Sequence, residues 1–358
     1  MHLVPMQRME TSIQIPPTHM DPMTSHPLSV IVLAAGKGTR MKSEKAKVLH
    51  EVFYAPMIHH VLAATLPLRP MQTVVIIGHQ KAAVAEVLQS FALTCVVQEE
   101  QLGTGHAVLI AEKIITAAAD TVMILCGDTP LIQAATLIEM YDRHRHHQAA
   151  LTLMTTVLDN PTNYGRIISD NTNRIQGIVE QKDADEEQRR IKEINAGIYC
   201  VDKTFLFSAL KKVGTDNSQG EVYLTDIVKI AVAGELVVEK YQVPSPVDVL
   251  GVNSRVELAG AQNELQMRRN RTLMLQGVSM NSPETIRVCS ESSIDRDTLL
   301  DPLVSISHKS QIGQSCQIGQ GAILKNCQIG DKVVIGPYSC LTDCTITAGT
   351  TLPPFSKN

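Results

Sequence analysis

The chain has 358 residues, 44% hydrophobic and 19% charged, which is long enough for two domains and too apolar for wholesale disorder. Its 32 basic and 36 acidic side chains give a formal charge of -4, and aromatics are only 3% with no Trp, so neither phosphate neutralisation nor base stacking supports a nucleic-acid partner. No stretch approaches the roughly 18 apolar residues of a membrane helix, and the eight Cys form no C-x-x-C pair, which together point to a reduced, cytoplasmic chain away from the membrane.

Residues 1–27 hold five Met, five Pro and three His without a continuous apolar run and are expected to be a disordered extension, not a signal peptide. The first predicted element is LSVIVLAAG (28–36), a continuous apolar run suited to a strand buried on both faces, and TVVIIG (73–78) and TVMILCGD (121–128) share its character. Between them KAAVAEVLQSF and GTGHAVLIAEKI have helical spacing. This alternation predicts an α/β domain with a mostly parallel sheet and ligands at the carboxyl ends of its strands. The run HRHH (144–147), placed after a helix, reads as a solvated face. Beyond residue 150, ALTLMTTV, GRIISD, RIQGIVE and AGIYCVD read as shorter alternating strands of a smaller mixed-sheet lobe facing those strand ends. Residues 254–277 form a connecting helix, with Leu258, Ala261 and Leu265 on one side and Gly277 as its stop.

From 278 to 358 the period changes to six. Ile306, Ile312, Ile318, Ile323, Ile329, Ile335, Leu341, Ile346 and Leu352 follow that spacing with two five-residue slips, which predicts a short parallel β-helix of about three coils. Such a solenoid needs a cap or a partner. Cys340 and Cys344 lack the second pair that a zinc site needs.

The loop LAAGKGTRM (33–41) ends the first strand. Gly36 and Gly38 let the backbone approach a ligand, and Lys37, Arg40 and Lys42 add positive charge, so it reads as a phosphate cradle or as a tight turn with solvated basic residues. Met41 stands where a dinucleotide fingerprint needs Gly, and the spacing is wrong for a Walker A loop. Asp128, at the end of the third apolar run, suits a magnesium ion or a helix cap. QEEQLGTGHA (98–107) offers an amide and a Gly-Thr-Gly turn to the edge of a flat ring, or simply starts a helix.

Taken together, LAAGKGTRM, KAKVLH, QLGTGHA, GD, NYGRI, GIVEQKDA, EINAGIY, GEVYLTD and GVNSR resemble, in order and spacing, the sugar-1-phosphate nucleotidylyltransferases. In particular the chain is similar, over about residues 28–355, to the bacterial bifunctional N-acetylglucosamine-1-phosphate uridylyltransferase/glucosamine-1-phosphate acetyltransferase family. The resemblance implies a Rossmann-like nucleotidyltransferase domain over 28–253 and a short left-handed β-helix of hexapeptide repeats. It implies that UTP and N-acetylglucosamine-1-phosphate are the substrates, that Mg²⁺ is the cofactor, and that the chain is a homotrimer through the β-helix. By the same resemblance Leu33, Ala34, Ala35 and Gly36 contact the nucleotide, Arg40 and Lys47 bind and neutralise phosphates, and Gln98, Gly103 and Thr104 recognise uracil. Asp128 and Asn253 hold the metal, and Gly165, Glu180 and Asn195 bind the N-acetylglucosamine moiety. Two positions depart from the family: Ala46 stands where Pro is usual, which is expected to loosen the loop, and Cys126 where a larger residue is common. Most of the acetyltransferase portion has no counterpart here, so acetylation of glucosamine-1-phosphate is not expected. The rival readings are a nucleotidylyltransferase for another sugar phosphate and a non-catalytic nucleotide-sensing subunit, the latter disfavoured by intact Arg40, Lys47, Asp128 and Asn253.

Overall fold

A computed structural model describes residues 27–358, so the expected N-terminal extension lies outside the described residues except for Pro27. The chain runs through β1 (Leu28–Ala34), the hairpin β2 (Glu51–Val52) and β3 (Ala55–Pro56), α1 (Met57–Thr65), β4 (Gln72–Ile77), α2 (Lys81–Val87), β5 (Thr94–Val97), α3 (Thr104–Leu109), β6 (Thr121–Cys126) and α4 (Ala134–His146). It continues through β7 (Leu151–Val157), β8 (Arg166–Ser169), β9 (Ile175–Val179), α5 (Glu186–Arg189), β10 (Glu193–Asp202), α6 (Lys203–Leu210), α7 (Asp226–Ala233), β11 (Val238–Gln242) and α8 (Arg255–Leu275).

Nine strands form one sheet, in the order β11-β7-β10-β6-β1-β4-β5, with the β8–β9 hairpin joined to β10. The apolar runs of β1, β4 and β6 are explained by burial on both faces. Val30, Val32, Val75 and Leu125 pack with α1, α2 and α4 on one side, while Ile31, Val74, Ile76 and Ile124 pack with α3, α6 and α7 on the other. β1 pairs in parallel with both β4 and β6, and the chain winds outward from β1 to β5 before returning to β6 on the opposite side. That reversal opens a crevice where β1 and β6 end side by side, with Leu33 in register with Cys126.

Three sequence expectations are corrected. The strands after residue 150 do not make a separate lobe, because β7 and β10 are central members of the main sheet and only the β8–β9 hairpin stands off it. In β7 the apparent alternation came from Thr152, Thr155 and Thr156, which are all buried. The HRHH run is not wholly solvated either. His144 is only 4% exposed and faces β7, its Nδ1 lying 2.9 Å from the Thr152 hydroxyl, while His146 and His147 remain at the surface. In the C-terminal region the inward residue is Leu324, not Ile323, which is 38% exposed against 0% for Leu324. The first short step in the repeat therefore falls between Leu324 and Ile329, across the corner at Asn326.

That region is a short left-handed parallel β-helix with three faces of five, four and four strands. Its inward ladder begins earlier than the sequence period revealed, with Val288, Ile294 and Leu300 below Ile306, Ile312 and Ile318. Helix α8 joins the two parts. Ser254 caps its start by accepting the Glu257 N–H at 3.2 Å. Arg268 binds Asp248 at 2.6 Å and the Leu131 carbonyl at 2.8 Å, which docks the helix on the first domain. One turn later Leu273 enters the β-helix core, and the Asn270 amide donates to the carbonyls of Pro283 and Ile286.

Burial of His144 has a measurable consequence. Loss of solvent pushes its imidazole pKa down to about 4, against a smaller opposing effect of Asp202. The unfolded chain, with an ordinary imidazole near 6.5, then binds more protons than the folded one between those two values. The contribution of this group is fully present above about pH 6.5 and is lost as pH falls toward 4, by up to roughly 3 kcal/mol. Urea unfolding at pH 7 and pH 4.5 should show this decline in the wild type and a smaller one in His144→Gln.

Candidate functional site

The loop that leaves β1 turns through Gly38, whose φ of 64° is left-handed and whose missing Cβ makes room for the Lys47 side chain. Two short 3₁₀ turns follow. Thr39–Met41 carries Arg40 and is anchored by buried Met41, and Lys47–Leu49 carries Lys47 and is anchored by buried Val48 and Leu49. Lys47 reaches across to β6's end, where its ammonium pairs with the Asp128 carboxylate and donates to Asn253 Oδ1 at 2.6 Å. Arg40 donates to the same Asn253 oxygen at 2.8 Å. Asn253 is held by its neighbours: its N–H donates to Glu257 Oε2 at 2.6 Å, its side-chain amide donates to the Gly251 carbonyl at 3.0 Å, and the Val252 N–H binds the Asp128 carbonyl at 2.8 Å.

Two adjoining cavities share Arg40, Cys126, Asp128 and Asn253. The larger, about 410 Å³, is lined by Leu33, Ala34, Ala35, Gly36, Lys47, Gln98, Gly103 and Thr104. Gln98 is buried on its wall, its side-chain nitrogen 3.2 Å from the Gly103 carbonyl and 3.1 Å from His106 Nδ1, which leaves the amide oxygen free to accept. Gly103 has φ 109°, and a Cβ there would lie 2.5 Å from the Val222 carbonyl, so the turn closes against the segment before α7 only with glycine. The Thr104 hydroxyl accepts the Leu224 N–H at 3.1 Å and keeps its own proton to donate.

The smaller cavity, about 180 Å³, is lined by Gly165, Glu180 and Asn195 together with Tyr164, Gly197 and Gly251. Burial raises the Glu180 carboxyl above its ordinary pKa, partly offset by a hydrogen bond from the Thr225 hydroxyl at 3.3 Å. Asn195 is locked at both ends, donating to the Tyr199 hydroxyl at 2.6 Å and accepting the Gly197 N–H at 3.0 Å. The residues assigned to nucleotide, phosphate, metal and sugar thus all line one cavity or the other, whereas Lys37 and Lys42, read as part of the phosphate cradle, are exposed and line neither. Sequence reasoning missed Gln101, which donates to the Ala35 carbonyl at 2.8 Å, and also Tyr164 and Glu221 on the cavity walls. Gln101 opens the motif QLGTGHA and the other two lie inside NYGRI and GEVYLTD, which were the available signal.

Cys126 lies between the cavities, but burial and the charge of Asp128 push its thiol up to about 12, so it is no nucleophile at neutral pH. The chemistry available is cationic: a guanidinium and an ammonium aimed at a shared space, with two hard oxygen donors behind them. Those oxygens, Asp128 Oδ2 and Asn253 Oδ1, already converge on one cation, the Lys47 ammonium. Such a donor pair fits Mg²⁺, which takes one or two protein oxygens and fills its remaining positions with water and substrate phosphates.

The nucleotidyl transferase family model matches residues 29–244, which takes in nearly all of the sheet and the lining of both cavities except Gly251 and Asn253. The chain belongs to this nucleotidyl transferase family. It is a nucleotidyltransferase of the GlmU type: it is 58% identical over 328 residues to the "Bifunctional protein GlmU" of Desulfotalea psychrophila, covering 92% of this chain and 97% of that protein. Against the protein of the same name from Pelobacter propionicus the identity is 42%, covering 92% of this chain and 72% of the relative. Among solved structures, a UDP-glucose pyrophosphorylase complexed with UDP-glucose shares the fold with a TM-score of 0.55 at 16% identity, over 68% of this chain and all of that one. A Bacillus anthracis protein assigned as a glucose-1-phosphate thymidylyltransferase does so at 0.52 and 20% identity, over 66% of this chain and 94% of its own. Among the described residues no helix is long and apolar enough to cross a membrane.

The geometry of Gly103 sets a stability test. Gly103→Ala should lower the unfolding free energy by roughly 1–3 kcal/mol, the usual cost of a strained backbone position. Gly36→Ala, with open space around its new Cβ, should melt like the wild type. Thermal melts of the two variants side by side provide the check.

Proposed function

We propose that the chain transfers the uridylyl group of UTP to N-acetylglucosamine-1-phosphate, giving UDP-N-acetylglucosamine and pyrophosphate. The observation that carries this reading is the meeting of the two cavities at Arg40, Asp128 and Asn253. The larger offers a buried amide and a Gly-Thr turn to a pyrimidine ring, and the smaller a carboxylate and a fixed amide to a sugar. A substrate spanning both has its phosphate at the junction. The GlmU relatives and the ordered motifs support the same choice of nucleotide and sugar.

In the reaction a phosphate oxygen of the sugar phosphate attacks the α-phosphorus of UTP, and the bond to the bridging oxygen of pyrophosphate breaks. The attacking oxygen is already ionised at neutral pH, so no protein base is required, and the residues act by positioning and by neutralising charge. Arg40 and Lys47 are aimed at the junction and stabilise the negative charge that builds there. Gln98 and Thr104 orient the base, and Glu180 and Asn195 hold the sugar hydroxyl and amide groups. Asp128 and Asn253 would hold Mg²⁺, whose Lewis acidity polarises the α-phosphate when it is bound. The proposal covers uridylyl transfer alone and assigns no acetyl transfer to this chain.

Pyrophosphate release from a panel of nucleoside triphosphates and sugar 1-phosphates tests the reading. UTP with N-acetylglucosamine-1-phosphate should be the best pair, and a better rate with another sugar or base would replace it. Asp128→Ala and Asn253→Ala should each remove nearly all turnover while melting as folded proteins. Wild-type activity that survives excess chelator would overturn their assignment to the metal.

We further propose that the chain works in the cytoplasm as a homotrimer. A β-helix of so few coils leaves strand edges at its ends and flat outer faces, which self-association covers. Light scattering should give about three times 39.1 kDa, and a stable monomer at micromolar concentration would contradict this.

A further inference from the structure

The phosphate loop is clasped at both ends by the turn after β4. The His79 N–H donates to the Ala35 carbonyl at 3.2 Å, where the loop begins, and His79 Nε2 lies 3.3 Å from the Glu44 carbonyl, near where it ends. Next to it, Gln80 Oε1 accepts the N–H of Ala46 at 2.8 Å. Ala46 is 1% exposed, so that N–H is shielded from bulk water, and a buried backbone donor is costly to leave unpaired. The Ala46 carbonyl in turn accepts the Leu49 N–H at 3.0 Å and so closes the 3₁₀ turn whose first residue is Lys47.

Gln80 is itself well anchored. Its carbonyl accepts the Val84 N–H at 3.1 Å in the first turn of α2, and Val84 is buried in the core. The backbone of Gln80 is held left-handed, with φ 52° and ψ 40°, which directs its side chain back across the loop. The loss of rigidity expected from Ala46 is therefore offset by a bond from a different part of the chain.

We propose that Gln80 is a positioning residue for Lys47: by accepting the Ala46 N–H it fixes the turn from which the ammonium reaches the catalytic junction. The inference rests on the phosphate-site reading of Lys47 given above. It makes a specific demand on Ala46. Its φ of -54° lies within the range of proline, whose ring fixes φ near -65° and carries no N–H. Proline at 46 would thus hold the turn by itself and remove the need for an acceptor at 80.

The test is a two-position cycle of Gln80→Ala, Ala46→Pro and the double variant, with melting curves for each. Gln80→Ala should lower kcat about tenfold, the scale of a small misplacement of a catalytic group. Its KM for the sugar phosphate, bound in the other cavity, should stay unchanged. Adding Ala46→Pro to Gln80→Ala should restore kcat to within about twofold of the wild type. Wild-type kcat in Gln80→Ala, a double variant no faster than the single, or a loss that merely tracks the folded fraction would each overturn the proposal. Hydrogen exchange at the Ala46 amide gives a readout independent of turnover, protected in the wild type and fast in Gln80→Ala. If the wild type turned over no sugar phosphate while that protection were still lost, the functional reading alone would fail. Unchanged protection would sink the role of Gln80.

Discussion

The contact of the Lys47 ammonium with Asp128 and Asn253 is the interaction around which the first domain is arranged. Its partners lie 81 and 206 residues away in sequence, so it forms only when β1 and β6 end together and the chain has returned from β11 to the start of α8. Each part of the sheet serves that meeting. The reversal of winding at β1 leaves the crevice open, the α-helices on both faces keep the two strand ends in register, and the Val252–Asp128 backbone bond ties the returning segment to β6.

A site of this kind has little use for nucleophiles or bases. Phosphoryl groups arrive charged, and what limits their transfer is the cost of bringing negative charges together. The protein answers with two pre-positioned cations, an exposed Arg40 and a Lys47 largely shielded from water, where attraction for phosphate is stronger than in bulk solvent. The half-buried thiol of Cys126 fits that division of labour. It lines both cavities where they meet and stays a protonated thiol at neutral pH.

Much of the architecture was legible because it depends on local pattern. The runs at 28–36, 73–78 and 121–128 announce strands buried on both sides, and the six-residue period announces a solenoid. The misreadings arose where long-range packing overrides pattern. Thr152, Thr155 and Thr156 look like a solvent face but are buried, and His144 looks like part of a charged surface but lies against Thr152. Ile323 and Leu324 are adjacent aliphatics, and only the corner at Asn326 decides which points inward. The site residues were found through ordered motifs, whereas Gln80 acts through a single hydrogen bond to a backbone group far away in sequence, which leaves no periodic or compositional trace.

Helix α8 has one end at the chemistry and the other in a different domain. Glu257 in its first turn holds the Asn253 N–H, and Leu273 near its end is packed among the β-helix coils. Its 21 residues span about 31 Å as a straight rod. A tilt of about 2° pivoting in the solenoid would carry the Asn253 end by about 1 Å, a displacement large enough to matter to catalytic alignment. The stacked coils therefore set the footing of a lever whose tip is the Asn253 amide on the wall of both cavities. Angular stiffness in a domain with no part in phosphate chemistry becomes positional accuracy where that chemistry takes place.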